Sequence, residues 1–385
     1  MEVIVKDILR AVPLLVAFGL ATHPVAQAQQ FNPATYYNVG PRGSEPEQVV
    51  TADFNHDGKL DLAVANTLTG GVAILLGNGD GTFQPAKHLA VNSPIAMATA
   101  DLNGDGIPDL VVQEWGYGAY LYVFLGNGDG TFRKKASYSV GDFPIAVTIA
   151  DFNGDGLPDV AIACSNTEQS TPGNVAIYFG NGDGTLTFNA QYFGGLHPWG
   201  VATADLNGDG HPDLIVSDDN NTGDLNTLFI LLNDGKGEFY YKSNYETGLE
   251  SLQANMVDLN HDGKPDIVIA SAFNQALAVL LGKGDGTFEK AVYYSTDAFG
   301  AAPYATAIAD FNMDGNLDVV ATLYDGGPVI FYGNGDGTLQ PGQLISMPQT
   351  GGTSIITADF NNDGVPDLAL SIFGRWSVAV LTNTQ

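Results

Sequence analysis

Short apolar runs alternate with clusters of Gly, Asn and Asp along almost the whole chain. Runs of four to six apolar residues between such clusters predict strands joined by tight turns. No segment shows a convincing helical period. One stretch displays the scheme. Residues 95–100 (IAMATA) predict a first strand that ends at an acidic loop, residues 110–112 a second, and residues 121–125 a third. After a GNGDGTF turn, the segment around Tyr138 predicts a fourth.

The scheme recurs. The acidic loop reads DFNHDGKLD from Asp53, DLNGDGIPD from Asp101, DFNGDGLPD from Asp151 and DLNGDGHPD from Asp205. It continues as DLNHDGKPD from Asp258, DFNMDGNLD from Asp310 and DFNNDGVPD from Asp359. Successive starts are 48, 50, 54, 53, 52 and 49 residues apart. Four strands at a period near 50 match one propeller blade. The expected fold is therefore all-β: a seven-bladed β-propeller of four-stranded blades. Residues 31–39 (FNPATYYNV) match the fourth-strand segment 83–91 (FQPAKHLAV), whereas the chain stops after a third strand at 378–381. The N-terminal strand is expected to complete the last blade and close the ring, leaving no open sheet edge.

Residues 1–28 read as a secretory signal. Lys6 and Arg10 precede an apolar run over 11–21, and Ala26-Gln27-Ala28 is a small-residue cleavage pattern. The run is too short to span a bilayer, and no other stretch could. Residues 29–385 then form a single propeller. The expected location is outside the cytoplasm: secreted, periplasmic or at the cell surface. Cys164 is the only cysteine, so no intrachain disulfide is available.

Composition sharpens the picture at two points. Charged residues make up only 15% of the chain while Gly numbers 48, as many tight turns require. Acids outnumber bases 43 to 14, a net charge of −29. That balance excludes the basic-patch route to nucleic acid. It also needs an explanation, because a compact chain so charged repels itself.

The acidic loops supply one. With the first aspartate as position 1, side-chain oxygens fall at positions 1, 3, 5 and 9. They are Asp53, Asn55, Asp57 and Asp61 in the first loop, then Asp101, Asn103, Asp105 and Asp109. The third and fourth loops supply Asp151, Asn153, Asp155 and Asp159, and Asp205, Asn207, Asp209 and Asp213. The fifth and sixth supply Asp258, Asn260, Asp262 and Asp266, and Asp310, Asn312, Asp314 and Asp318; the last supplies Asp359, Asn361, Asp363 and Asp367. Gly at position 6 permits the sharp turn. Position 7 is Lys59, Ile107, Leu157, His211, Lys264, Asn316 and Val365. So varied a set fits a position that donates only its backbone carbonyl. Such a set of hard oxygens suits Ca2+, up to seven ions, with Mg2+ second because it demands tighter octahedral geometry. The loops hold 21 of the 43 acids, and seven divalent ions would bring −29 to about −15. Position 12 is always apolar, from Val64 to Leu370, where an EF-hand needs an acid. The competing reading is a set of plain Asx turns, which seven complete copies disfavour.

The loop, its apolar flanks and its period resemble the FG-GAP/VCBS repeat family, whose propellers include those of integrin α subunits. The resemblance covers residues 31–385. It implies a calcium-stabilised seven-bladed propeller, with the family's ligands falling on the Asp and Asn positions above. The chain looks like the freestanding bacterial secreted form. Nothing resembles an integrin stalk, so integrin-like adhesion is not inherited.

Other motifs carry less. The GNGDGTF turn has Lys236 in its fourth copy where Asp80 stands in the first, so it reads as a Gly-rich hairpin turn and not a metal site. Neither GxSxG nor HExxH occurs. Cys164 reads as a buried small residue. The strand order puts acidic loops and GNGDGTF turns on one face of the propeller. The opposite face carries connections that differ among repeats, including the polar stretches 165–174 and 217–226. Trp115, Tyr117, His197, Trp199, Phe273, Tyr324, Arg375 and Trp376 fall there. These residues are candidates for stacking on a sugar or docking a protein, or else they cap the blade cores. The expected function is a calcium-binding, monomeric binding or adhesion module for a glycan or protein. The alternative is a polysaccharide lyase or glycosidase on the same scaffold, although no catalytic set is apparent.

Overall fold

The computed structural model describes residues 27–28, 30–165, 172–218, 226–248, 251–272, 274–348 and 351–385. Seven antiparallel sheets stand in a ring. Their inner strands are Pro46–Ala52, Pro94–Ala100, Pro144–Ala150, Pro198–Ala204, Ser251–Val257, Pro303–Ala309 and Gly352–Ala358, blades 1 to 7 in order. Each packs on the next, and the seventh packs on the first. The ring closes as expected. Thr35–Asn38 is the outer strand of blade 7 and pairs antiparallel with Ser377–Leu381, Thr35 opposite Val380 and Asn38 opposite Ser377.

One pairing was not foreseen. Gln27–Ala28, assigned from sequence to the end of the leader, runs parallel to the outer strand of blade 6, Gln343–Ile345. The rest of the expected leader, residues 1–26, lies outside the described residues. Among the described residues the single helical element is the 3-10 turn Asp297–Phe299.

The core lies between blades, not within one. Among the described residues seven buried clusters occur, each shared by two consecutive blades. In one, Ala63, Ala65, Val72 and Ile74 of blade 1 meet Met97, Leu110, Val112 and Phe124 of blade 2. The second strand of blade 1, Asp61–Asn66, is buried at every residue, as a strand covered on both faces must be. This explains its continuous apolar run. Outer strands such as Phe132–Gly141 alternate between exposed and partly buried positions instead.

Candidate functional site

Every acidic loop folds on one plan. In the first, Asp53 Oδ1 and Asn55 Oδ1 both accept the N–H of Asp57, at 3.0 Å each. Asp53 Oδ2 accepts from Gly58 N at 2.7 Å, and Asp57 Oδ1 from Lys59 N at 3.0 Å. The same four bonds recur in the last loop on Asp359, Asn361 and Asp363. They recur around Asp101, Asp151, Asp205, Asp258 and Asp310 as well. Gly58 takes φ of 82° to make the turn, a conformation open to glycine and costly to residues with a Cβ. The side-chain oxygens at positions 1, 3 and 5 are thus ordered by the loop's own amides. None of the position-7 carbonyls, from Lys59 to Val365, accepts a described hydrogen bond.

Position 9 departs from the simple ligand picture. Asp61 is fully buried. Its Oδ2 accepts from Phe54 N at 2.9 Å and its Oδ1 from Gly77 N at 2.7 Å. The other six position-9 aspartates bind the equivalent pair of amides, as in Asp109 with Leu102 and Gly126 or Asp367 with Phe360 and Asn383. The carboxylate staples loop position 2 to the end of the third strand of its own blade. Burial pushes the carboxyls of Asp61, Asp159, Asp213, Asp318 and Asp367 up to about 6, and nearby acids of the same loop add to the effect. With the third acid held in this way, no group of three or more His, Cys, Asp or Glu side chains converges as a metal cluster among the described residues. What each loop offers is two carboxylates, an amide oxygen and an unclaimed carbonyl, with a third carboxylate anchored beside them. That donor chemistry fits a hard divalent cation.

Two kinds of residue missed in the sequence join neighbouring blades on this face. The GNGDGTF turn is a hairpin turn, capped by Asp80 accepting from Thr82 N at 3.0 Å, but it also latches the ring. Gly130 N of blade 2 donates to Phe54 O of blade 1 at 3.1 Å, and Gly81 N of blade 1 to Phe360 O of blade 7 at 3.0 Å. In blade 4, where the motif is altered, the Asn233 side-chain amide reaches Phe152 O at 2.8 Å; in blade 7, Asn383 does the same to Phe311 O at 2.8 Å. Fourth-strand tyrosines add a second link. Tyr37, Tyr138, Tyr245 and Tyr294 each accept, through the phenol oxygen, a backbone N–H of the following blade, from Phe83, Leu186, Phe288 and Leu339. The recurring Tyr in segments such as YSV and YYS was the available signal.

The varied face gathers the predicted aromatics in several groups rather than one site. Phe143 lies between Trp115 and Tyr117, with ring centroids at 5.6 and 4.6 Å; Tyr117 is 74% exposed. Tyr324 meets Phe373 at 6.4 Å, and the Arg42 guanidinium stands 5.8 Å from the Trp376 ring centre. Arg375 is exposed. His197 gives its backbone N–H to Asp218. Trp199 lines a cavity in the central channel. Phe273 and most of the stretches 165–174 and 217–226 lie outside the described residues.

A cleft of about 500 Å3 opens between blades 2 and 3 near this face. Its walls include Tyr138, Tyr178 and Phe188, with Tyr178 centred 5.8 Å from Tyr138 and 5.4 Å from Phe188. Asn174 Oδ1 in its wall is buried and has no hydrogen-bond partner among the described residues. Cys164, also in the wall, donates its thiol to Val140 O at 3.2 Å, and burial pushes that thiol up to about 12. A thiol so held stays protonated and is a poor nucleophile.

Fold and loops together define a seven-bladed propeller whose blades each carry one acidic loop. The FG-GAP-like repeat family matches over residues 53–112, 101–162, 151–216, 205–269, 258–321 and 310–370, and the chain belongs to that family. Among curated proteins it is similar to the T-cell immunomodulatory protein of Rattus norvegicus, 27% identical over 118 residues. That match covers 29% of this chain and only 19% of the relative's length. Among solved structures, an Agrocybe aegerita lectin recognising non-reducing terminal N-acetylglucosamine superposes with a TM-score of 0.59 at 20% identity, covering 94% of this chain and 98% of that one. BBS1N, solved in complex with ARL6DN, superposes with a TM-score of 0.62 at 14% identity, covering 92% and 99%. Likeness at these identities speaks for the fold alone.

Proposed function

We propose that this chain is an exported, calcium-stabilised binding module that takes a glycan in the cleft between blades 2 and 3. The observation that carries the reading is the cleft's lining. Aromatic rings stand beside an amide oxygen left without a partner, and Ser137 and Gln191 add polar groups. Aromatic faces suit the C–H faces of a pyranose, and orphaned polar atoms suit its hydroxyls. Phe188 is 52% exposed, so its ring is open to a ligand entering the cleft. The lectin neighbour, which recognises a sugar, is consistent with this use of the fold. Calcium would be held by positions 1, 3 and 5 and the position-7 carbonyl, with position 9 beside them. It would supply charge neutralisation within the loops and no chemistry in the cleft.

The test is a glycan array probed with the folded, calcium-loaded chain, followed by titration of the best ligand. Phe188→Ala and Asn174→Ala are each expected to weaken binding by about tenfold or more. An array without hits, alongside a protein captured through the same cleft, would move the reading to a protein ligand.

A further inference from the structure

The central channel, enclosed by the seven inner strands, holds a cavity of about 120 Å3 at its varied-face end. The polar groups in its wall are already committed to the protein. Gln48 Oε1 accepts from Met97 N, Thr353 Oγ1 donates to Pro46 O at 2.7 Å, and Ser354 Oγ accepts from Val49 N at 3.3 Å. Glu47 is the exception. It lies in the same wall, and among the described residues no donor or cation meets its carboxylate. Glu47 is partly buried at the channel wall; desolvation there pushes its carboxyl up to about 8, and Glu45 adds repulsion. Trp199 and Tyr304 stand in the same wall. A carboxyl in such a place keeps its proton until a cation pairs with it, and then ionises.

We propose that this cavity binds an organic cation, an alkylammonium group about the size of a lysine side-chain end. A hard metal ion does not fit, because calcium needs six or more oxygens and the described wall offers one uncommitted carboxyl group. An ammonium on a slender alkyl chain fits on all three counts. It pairs with the Glu47 carboxylate, gains from the electron-rich rings of Trp199 and Tyr304, and buries its methylenes against Ile95 and Ile145. The surrounding field favours its approach. Burial raises the Tyr324 phenol, and the charges of Asp325, Glu47 and Glu45 add to it, which puts further acids at this end of the channel. The site is distinct from the interblade cleft and does not depend on the glycan reading.

The experiment titrates n-butylammonium into the full chain, with calcium present and salt at about 150 mM, by calorimetry and saturation-transfer NMR. Saturable one-to-one binding is expected, with transfer to the butyl protons. Glu47→Gln should weaken it by about tenfold or more, and Tyr304→Leu should weaken it several-fold. Glu47→Gln replaces a partly buried carboxyl with an amide of the same size, so it should fold and melt no lower than the parent; Tyr304→Leu gives an independent readout if it does not. Putrescine and a blocked lysine, Nα-acetyl-lysine methylamide, separate a free amine from a protein side chain as the natural occupant, and binding of either supports the site. Equal binding by n-butanol, unchanged affinity in Glu47→Gln, or only a linear, unsaturable response would overturn the proposal.

Discussion

At the scale of single residues, identical letters in the loop motif do different jobs. Positions 1 and 5 carry acids ordered by local amides, whereas position 9 carries an acid that accepts two amides from separate parts of its blade. Asp61→Asn would face a donor N–H with an amide N–H2 on one side. The expected cost is about 2–4 kcal/mol, read from urea unfolding. The loss should persist in EDTA, because the backbone staple needs no ion. A loss that disappears on chelation would mean the carboxylate acts only through the metal. Position 4 shows the converse, varied letters under one constraint. His56, Gly104, His261, Met313 and Asn362 all adopt φ between 57° and 73°. The two histidines hold a left-handed turn, a conformation that asks for no imidazole chemistry.

At the scale of elements, the turns and outer strands bind blades to one another. Tyr138 accepts from Leu186 N at 2.6 Å across the junction of blades 2 and 3. Tyr138→Phe would strand that N–H in a partly buried place and is expected to cost about 1–2 kcal/mol in urea unfolding. Tyr240→Phe, on an exposed outer strand, serves as the control and should change little. The four-strand unit, its order and the acidic turn were legible because strand period and turn chemistry are local. The tyrosine links were not, because each joins residues about 45 positions apart whose partner is a backbone N–H that has no letter in the sequence.

At the scale of the whole molecule, charge and closure dominate. A net charge of −29 on one ring opposes folding, and 21 of the acids sit in the seven loops. If calcium at about 1 mM fills sites with dissociation constants near 0.1 mM, each adds roughly 1.4 kcal/mol. Seven independent sites would then raise the melting temperature by roughly 10 °C. Calorimetric scans with calcium and with EDTA check this, and superimposable scans would refute calcium stabilisation. The ring itself is held by seven interblade cores and by one strand borrowed from the other end of the chain. Repetition alone determined the number of blades, the strand count in each, the closing segment and the loops rich in oxygen donors, since all of these are patterns of spacing. Tertiary structure alone decided that position 9 is a staple, that the GNGDGTF turn latches the next blade, and that Glu47, Trp199 and Tyr304 share one cavity. Those facts depend on which side chains different blades bring together once the ring is shut, and spacing along a chain does not encode distance across it.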